Sequence, residues 1–308
     1  MVVILCDGKP SYFETPRQLT PIKGERLIDR TIRLLKENNI EDIIITSHDE
    51  KFDNLGVKRY ESNNNSWDYN KNTGYWLDAF PLEILDKPTT YLFGDVYYSE
   101  NAIKQIVETK TNDILFFCTY ENQDDRYIKH HDEPLAFKVN NINKFKKHIK
   151  KVKEAKDKGL CEREPIAWEL YRSINNQNLN EHKMTKGYIA INDESCDIDT
   201  KCDIIKLESK LGGNIMVKVK ATQNFNLEEF NKLKNIQRQR KDVEGQLFTG
   251  DIFECDNKMA DYLTGNNDQK ITVVEILEVI PEEPKTIKEE VEPKKEVKKT
   301  TKKKTKKK

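Results

Sequence analysis

The chain has 308 residues, 36 % of them hydrophobic and 34 % charged, so part of it lacks the apolar content of a packed core. Its zero net charge is unevenly spread: residues 285–308 hold 12 lysines and four glutamates, leaving a net −8 on residues 1–284. An acidic body excludes a general nucleic-acid-binding surface there, and its apolar runs are far too short to span a membrane.

In chain order, VVILC (2–6) reads as a buried strand. ERLIDRTIRLLKENNI (25–40) places Leu27, Ile28, Ile32, Leu35 and Ile40 near helical spacing. EDIIITSH is a second buried strand and GVKRYESN a short third. GYWLDAFPLEIL (74–85) is apolar at helical spacing. TTYLFGDVYYS is a buried strand ending in Gly94-Asp95. SENAIKQIVETKT is a helix with Ser99 as its N-cap, and DILFFCTYEN is another strand. Buried strands alternating with amphipathic helices predict a three-layer α/β domain over residues 1–213, built on a mostly parallel sheet.

After residue 133 the pattern loosens. PLAFKVNN is a strand, NINKFKKHIKKVKEAKDKG a lysine-rich helix, EPIAWELYRSIN a shorter helix. GYIAINDESCDIDTKCDIIKLESKL is a strand, a polar turn and a helix. A second unit over residues 216–281, α+β or β-rich and of a size able to fold alone, opens with VKVKATQNF. It continues through a hairpin region, DVEGQLFTGDIFECD, and the helix KMADYLTG, and closes with ITVVEILEVI. Residues 282–308 are Pro, Glu, Lys and Thr with almost no apolar side chains, the composition of a disordered tail. Its KKTTKKKTKKK end suits contact with nucleic acid or an anionic surface, or serves only to solubilise.

The six cysteines form no CxxC pair, which argues against a zinc site; Cys118, inside an apolar run, reads as a buried thiol. The N-terminus has no basic segment followed by a long apolar core, so a signal peptide is not expected and a cytoplasmic location is.

Three segments converge beyond the carboxyl ends of the expected strands, where open α/β sheets bind ligands. They are the loop CDGKPSYFETPRQL, the strand end Gly94-Asp95, and CDIDTKCDI with Asp197 and Asp199. An acid placed after a buried strand needs a partner. A magnesium ion is one, because it takes one or two carboxylates plus phosphate oxygens; Asp95 and Asp199 suit that role. Asp199 alone would also serve as an N-cap for the helix that follows it.

These motifs, in this order, resemble the sugar-phosphate nucleotidyltransferases of the pyrophosphorylase and cytidylyltransferase superfamily, which have a GT-A-like fold. The resemblance covers residues 1–211. It rests on VVILCDG, PRQL, the helix and strand of GERLIDRTIRLLKENNIEDIIIT, Asn72-Thr73-Gly74, Gly94-Asp95, and Ile198-Asp199-Thr200 with Asp203. It implies attack of a phosphorylated acceptor on the α-phosphorus of a nucleoside triphosphate, with loss of pyrophosphate. It further implies catalytic roles for Arg17 and Asp95, nucleotide contacts from Gly8, Arg17 and Gly74, and magnesium on Asp95 and Asp199. Lys138, in EPLAFKV, is a candidate ligand for acceptor phosphate, and Glu169, in EPIAWELY, a candidate acceptor contact. The opening loop departs from the family pattern. It lacks a second glycine, carries bulky Tyr12 and Phe13, sets Asp7 beside the expected phosphates and has Arg17 in place of lysine.

Residues 216–281 are similar to small proteins encoded among phage and prophage structural genes, which implies a phage setting and association with a virion or capsid. Two rival expectations stand: a GT-A-type glycosyltransferase, or a catalytically inactive virion protein. The absence of Asp-x-Asp at the central strand end favours nucleotidyl transfer over the first; the crowded loop favours the second.

Overall fold

The computed structural model describes residues 1–7, 15–61, 74–119, 133–181, 184–212, 215–227, 230–238, 246–264 and 274–280. Gly8, Tyr12, Phe13, the His130-His131 pair, Gly213, Gly265 and the lysine-rich tail lie outside these residues.

Seven strands form the main sheet: β1 (Val2–Leu5), β2 (Ile43–Thr46), β3 (Lys58–Tyr60), β4 (Thr89–Phe93), β5 (Ile114–Thr119), β6 (Glu133–Val139) and β7 (Tyr188–Ala190). Their order is β7-β5-β6-β4-β1-β2-β3. All neighbours are parallel except β6, which runs antiparallel to both β4 and β5. The chain is therefore a mixed α/β protein with a mostly parallel central sheet, as its alternating pattern predicts.

Alternate side chains of each strand enter different cores, which is what a sheet covered on both faces requires. Val2 and Ile4 pack with α1 (Leu27–Glu37) and α2 (Glu100–Glu108) on one face. Val3 and Leu5 pack on the other with α3 (Ile142–Asp157) and α4 (Ala167–Ile174). The expected cap of α2 forms: Ser99 Oγ accepts from the Ala102 N–H at 2.9 Å. Cys118 is fully buried.

Residues 74–85 are not the helix their spacing predicts. A single 3-10 turn covers Trp76–Ala79, and Phe80 is already extended, at φ −75° and ψ 116°. Pro81 follows it; proline has no N–H to give a helix and pushes the residue before it out of helical space.

Beyond α5 (Lys201–Lys210), a second sheet contains β8 (Met216–Ala221), β9 (Lys234–Gln237), β10 (Ile252–Asp256) and β11 (Val274–Ile280), all antiparallel, in the order β9-β10-β8-β11. The α6 helix (Asn257–Leu263) follows β10. The segment read as one hairpin divides between two sheets: Gln246–Leu247 pairs with Phe225–Asn226, whereas β10 pairs with β8 and β9. The Thr249-Gly250 turn, with Gly250 at φ +93°, separates them. The inner side of this sheet shares one apolar cluster with α5, Ile22, Leu27 and Tyr97.

Candidate active site

Six of the seven main strands point the same way, so their carboxyl ends share one edge. β6 runs against them and brings its first residue, Glu133, to that same edge, opposite Thr119 of β5. Asp7 stands two residues after β1, and Asp95 two after β4. The topology thus delivers three acids to one place.

Gly94 is what lets Asp95 sit there. Its N–H donates to the Leu5 carbonyl at 2.9 Å, and a Cβ at this position would lie 2.5 Å from Cys6 Sγ. A two-residue antiparallel pairing of Val96–Tyr97 with Cys196–Asp197, extended by the Ile198 N–H donating to the Asp95 carbonyl at 3.0 Å, brings the Asp197–Asp199 turn alongside. The buried Tyr98 hydroxyl fixes this floor, accepting from the Phe93 N–H at 3.1 Å and donating to the Leu135 carbonyl at 2.5 Å.

Arg17 closes the arrangement from the 3-10 turn Arg17–Leu19. Its guanidinium reaches Asp95 Oδ2 at 2.6 Å, pairs with Asp199 Oδ1, and donates to the Ile198 carbonyl at 3.3 Å. Three residues far apart in sequence and singled out from it form one ion-pair cluster. Asp199 is free for this because it does not cap α5. Thr200 is the N-cap, and Asp203 Oδ2 accepts from the Thr200 N–H at 2.7 Å and the Asp199 N–H at 3.2 Å.

A cavity of about 300 Å³ opens over the cluster. Three of the acids around it, Asp95, Asp197 and Glu133, resist ionisation. Burial pushes the Asp95 carboxyl up, with Arg17 opposing and Asp199 adding to the rise. Burial, then Asp95 and Glu133, pushes Asp197 well up. Glu133 is raised to about 7 by burial and then by Asp199 and Asp95. Burial alone would lower the Arg17 pKa, but Asp95, Asp197 and Asp199 outweigh it and raise it. Crowding of like charge in a low-dielectric pocket has this effect, and it marks a place where a further cation is favoured.

The donor set is suited to a hard divalent cation, being oxygen only. Among the described residues no three acid, imidazole or thiol groups make a ready-made metal cage. Asp95 and Asp199 are the two cavity-lining carboxylates that could hold such an ion, the rest of its shell being water and phosphate oxygens.

The remaining expected residues are elsewhere. Lys138 sits near the amino edge of the sheet, where Nζ donates to the Val107 carbonyl at 2.9 Å and the Thr109 carbonyl at 2.5 Å, tying down the end of α2. Glu169 is buried away from the cavity: Oε1 accepts from Arg163 and Arg172 at 3.0 Å each, and Oε2 from the Ile166 N–H at 2.9 Å. Its neighbour Trp168 lines the cavity instead. Gly74, at φ +100°, does not line it; its carbonyl accepts from Lys156 Nζ at the approach to Trp76. Gly8 falls outside the described residues. Asp7 turns toward β2, where Oδ1 accepts from the His48 N–H at 3.0 Å and meets His48 Nδ1 at 3.0 Å. Glu133 is the acid sequence reasoning missed, because nothing in EPLAFKV tells which way its strand runs.

No protein-family model and no curated protein sequence matches the chain. Solved structures do. The chain is similar to the CTP:phosphocholine cytidylyltransferase of Streptococcus pneumoniae, with 20 % identity, 68 % of this chain and 98 % of that one covered, and a TM-score of 0.44. It is similar to 2-C-methyl-D-erythritol 4-phosphate cytidylyltransferase from Thermus thermophilus, at 10 % identity, 69 % and 98 % coverage and a TM-score of 0.44. A third is the inositol-1-phosphate CTP transferase from T. maritima, at 14 % identity, 68 % and 95 % coverage and a TM-score of 0.40. No helix among the described residues is long and apolar enough to cross a membrane.

Proposed function

We propose that this chain is a magnesium-dependent nucleotidyltransferase, joining a nucleoside triphosphate to a phosphorylated acceptor and releasing pyrophosphate. The observation that carries the reading is the Arg17–Asp95–Asp199 cluster under a cavity at the carboxyl edge of the sheet. Phosphoryl chemistry needs little covalent help from a protein; positioning and charge neutralisation supply the rate.

An acceptor phosphate oxygen forms the new bond to the α-phosphorus, the α–β bridging bond breaks, and its electron pair leaves with pyrophosphate. Arg17 offers a permanently charged planar fork that binds two phosphate oxygens at once. Its place against Asp95 and Asp199 holds that fork at the cavity floor before substrate arrives. Asp95 and Asp199 are the carboxylates that would hold magnesium, which supplies neutralisation of the phosphate charge. Phe93 and Trp168 help exclude water from the cavity wall.

A glycosyltransferase reading draws on Asp197-Ile198-Asp199, whose two acids both line the cavity. The two readings part in one experiment. The full chain is incubated with magnesium and either each NTP plus a panel of phosphorylated acceptors or a panel of nucleotide sugars, and pyrophosphate and sugar release are measured alongside the thermal shift given by each NTP. Pyrophosphate release supports nucleotidyl transfer. Hydrolysis or transfer from nucleotide sugars without pyrophosphate supports the glycosyltransferase. Neither pyrophosphate nor a nucleotide-induced shift rejects the nucleotidyltransferase.

A further inference from the structure

We propose that the outward lysine face of α3, with Leu160 at its end, is a docking surface for an anionic lipid bilayer. The proposal is independent of the reaction read from the cavity.

Charge placement is the first observation. α3 turns Phe145, Ile149 and Val152 into the core. Its half-buried lysines are taken: Lys144 meets Asp113 at 2.6 Å, Lys153 pairs with Asp78, and Lys156 with Glu164. The outward ones are not. Lys146, Lys147 and Lys151 in the helix, and Lys158 just after it, are exposed, and none has a hydrogen bond or ion pair among the described residues. Lys150 beside them reaches Glu154 only at 3.9 Å. Asp157, the other acid of α3, accepts from the Tyr75 hydroxyl. From Lys146 to Lys158 the row runs about 18 Å.

This arrangement does not serve the helix. Lys146 and Lys150, and Lys147 and Lys151, stand four residues apart with like charge, which opposes helix formation. The first turn has no acid to complement the helix dipole. Burial, and then Lys151, Lys144 and Lys147, lower the His148 pKa, so the positive field reaches the inner flank of the helix. A face that breaks local rules in this way needs a gain elsewhere, and an anionic surface supplies one.

Apolar exposure is the second observation. Past α3, Gly159 takes φ +66°, the Leu160 N–H donates to the Ala155 carbonyl at 2.9 Å, and the Gly159 N–H donates to the Lys156 carbonyl at 2.8 Å. In such a turn the residue after the glycine commonly packs on the residue five before it. Ala155 is too small to cover a leucine, and Leu160 stays 59 % exposed. Its carbonyl accepts from Asn180 Nδ2 at 3.1 Å, so the backbone that presents it is held. A fixed leucine at the end of a lysine row can enter the acyl boundary while the lysines meet the headgroups.

Nucleic acid is the other polyanion a lysine row could meet. The row contains no arginine and no exposed aromatic side chain, the groups that fork onto phosphate or stack on bases. Nor has an exposed leucine a use on a phosphate backbone. Physiological salt screens charge beyond about 8 Å, so the net −8 of residues 1–284 does not forbid contact through this one face. Glu164, the partner of Lys156, lines the cavity, so docking brings the cavity close to the membrane surface.

The test is co-sedimentation of the full chain with vesicles of phosphatidylglycerol mixed with phosphatidylcholine, and with vesicles of phosphatidylcholine alone. The wild type should partition onto the anionic vesicles and leave them in high salt. Lys146→Gln, Lys147→Gln, Lys151→Gln and Lys158→Gln together should cut partition at least about 10-fold, with the midpoint temperature unchanged or raised because like charges are removed. The same charge taken from the tail, by Lys302→Gln, Lys303→Gln, Lys304→Gln and Lys306→Gln, should cost less. Leu160→Ser should reduce partition roughly five-fold and leave retention on duplex DNA unchanged. No partition of the wild type onto anionic vesicles, equal partition onto neutral ones, or a loss from the α3 substitutions no greater than from those in the tail overturns the proposal. So does a Leu160→Ser variant that binds vesicles as tightly as the wild type, or that loses DNA retention to the same degree, since the face would then be a general polyanion surface.

Discussion

A Cβ on Gly94 would stand 2.5 Å from Cys6 Sγ, closer than such atoms approach, and 3.0 Å from the Leu5 carbonyl oxygen, a tight contact with backbone. Gly94→Ala must therefore push β4 away from β1 and carry Asp95 with it. We expect a loss of about 1–3 kcal/mol in denaturant unfolding, the usual cost of overpacking, together with weaker NTP binding. Glu133 gives a pH prediction. Its pKa in the folded protein is about 7, above an ordinary glutamate's 4.5, with burial the main cause. Between these values the folded state holds a proton that the unfolded chain has released. Glu133 thus favours folding fully below about pH 4.5, and that contribution is lost as pH rises through about 7. Without metal, the wild-type midpoint temperature should fall over this window, and Glu133→Gln should flatten the fall. An unchanged slope in the variant would show that Glu133 does not titrate as described.

Helices and strands decide which residues can be functional. In α4, Trp168 and Glu169 are neighbours in sequence but lie about 100° apart around the axis; one meets the cavity and the other is sealed against Arg172. Glu169→Ala leaves the Arg172 charge buried without its carboxylate and removes the acceptor for the Ile166 N–H. It should cost about 3–5 kcal/mol in unfolding free energy, with the loss of activity following the loss of folded protein. Lys138→Met should loosen the end of α2 and leave the acceptor KM unchanged; a raised KM would return Lys138 to the site. The sequence order of strands and helices was readable because buried runs and amphipathic segments alternate so regularly before residue 120. Strand direction was not. A single antiparallel strand, β6, moves Glu133 to the ligand edge and Lys138 to the far one, and no local pattern encodes that. Pro81 did carry a readable signal against a helix over 74–85, masked by the apolar spacing around it.

On the scale of the whole molecule, the second sheet bears on the site. Ile204, Ile205 and Leu207 of α5 share a cluster with Val217, Val219 and Phe253 of that sheet, and α5 begins at the turn that presents Asp199. Ending the chain after residue 212 should uncover those side chains, at about 1.5–3 kcal/mol each, and give a protein of lowered midpoint temperature and weakened NTP binding. A truncated chain that melts and binds like the full one would show the two sheets to be independent. The ion-pair cluster was legible in part: PRQL, Gly94-Asp95 and Ile198-Asp199-Thr200 are short signals that mean little singly, and the fold brings them within contact. The most direct test of that cluster as a nucleotidyl-transfer site is the rate of pyrophosphate release by full-length Asp95→Asn against the wild type, at saturating magnesium and NTP. The account predicts a loss of at least about 100-fold with the fold intact by circular dichroism; a variant that releases pyrophosphate at the wild-type rate would contradict it.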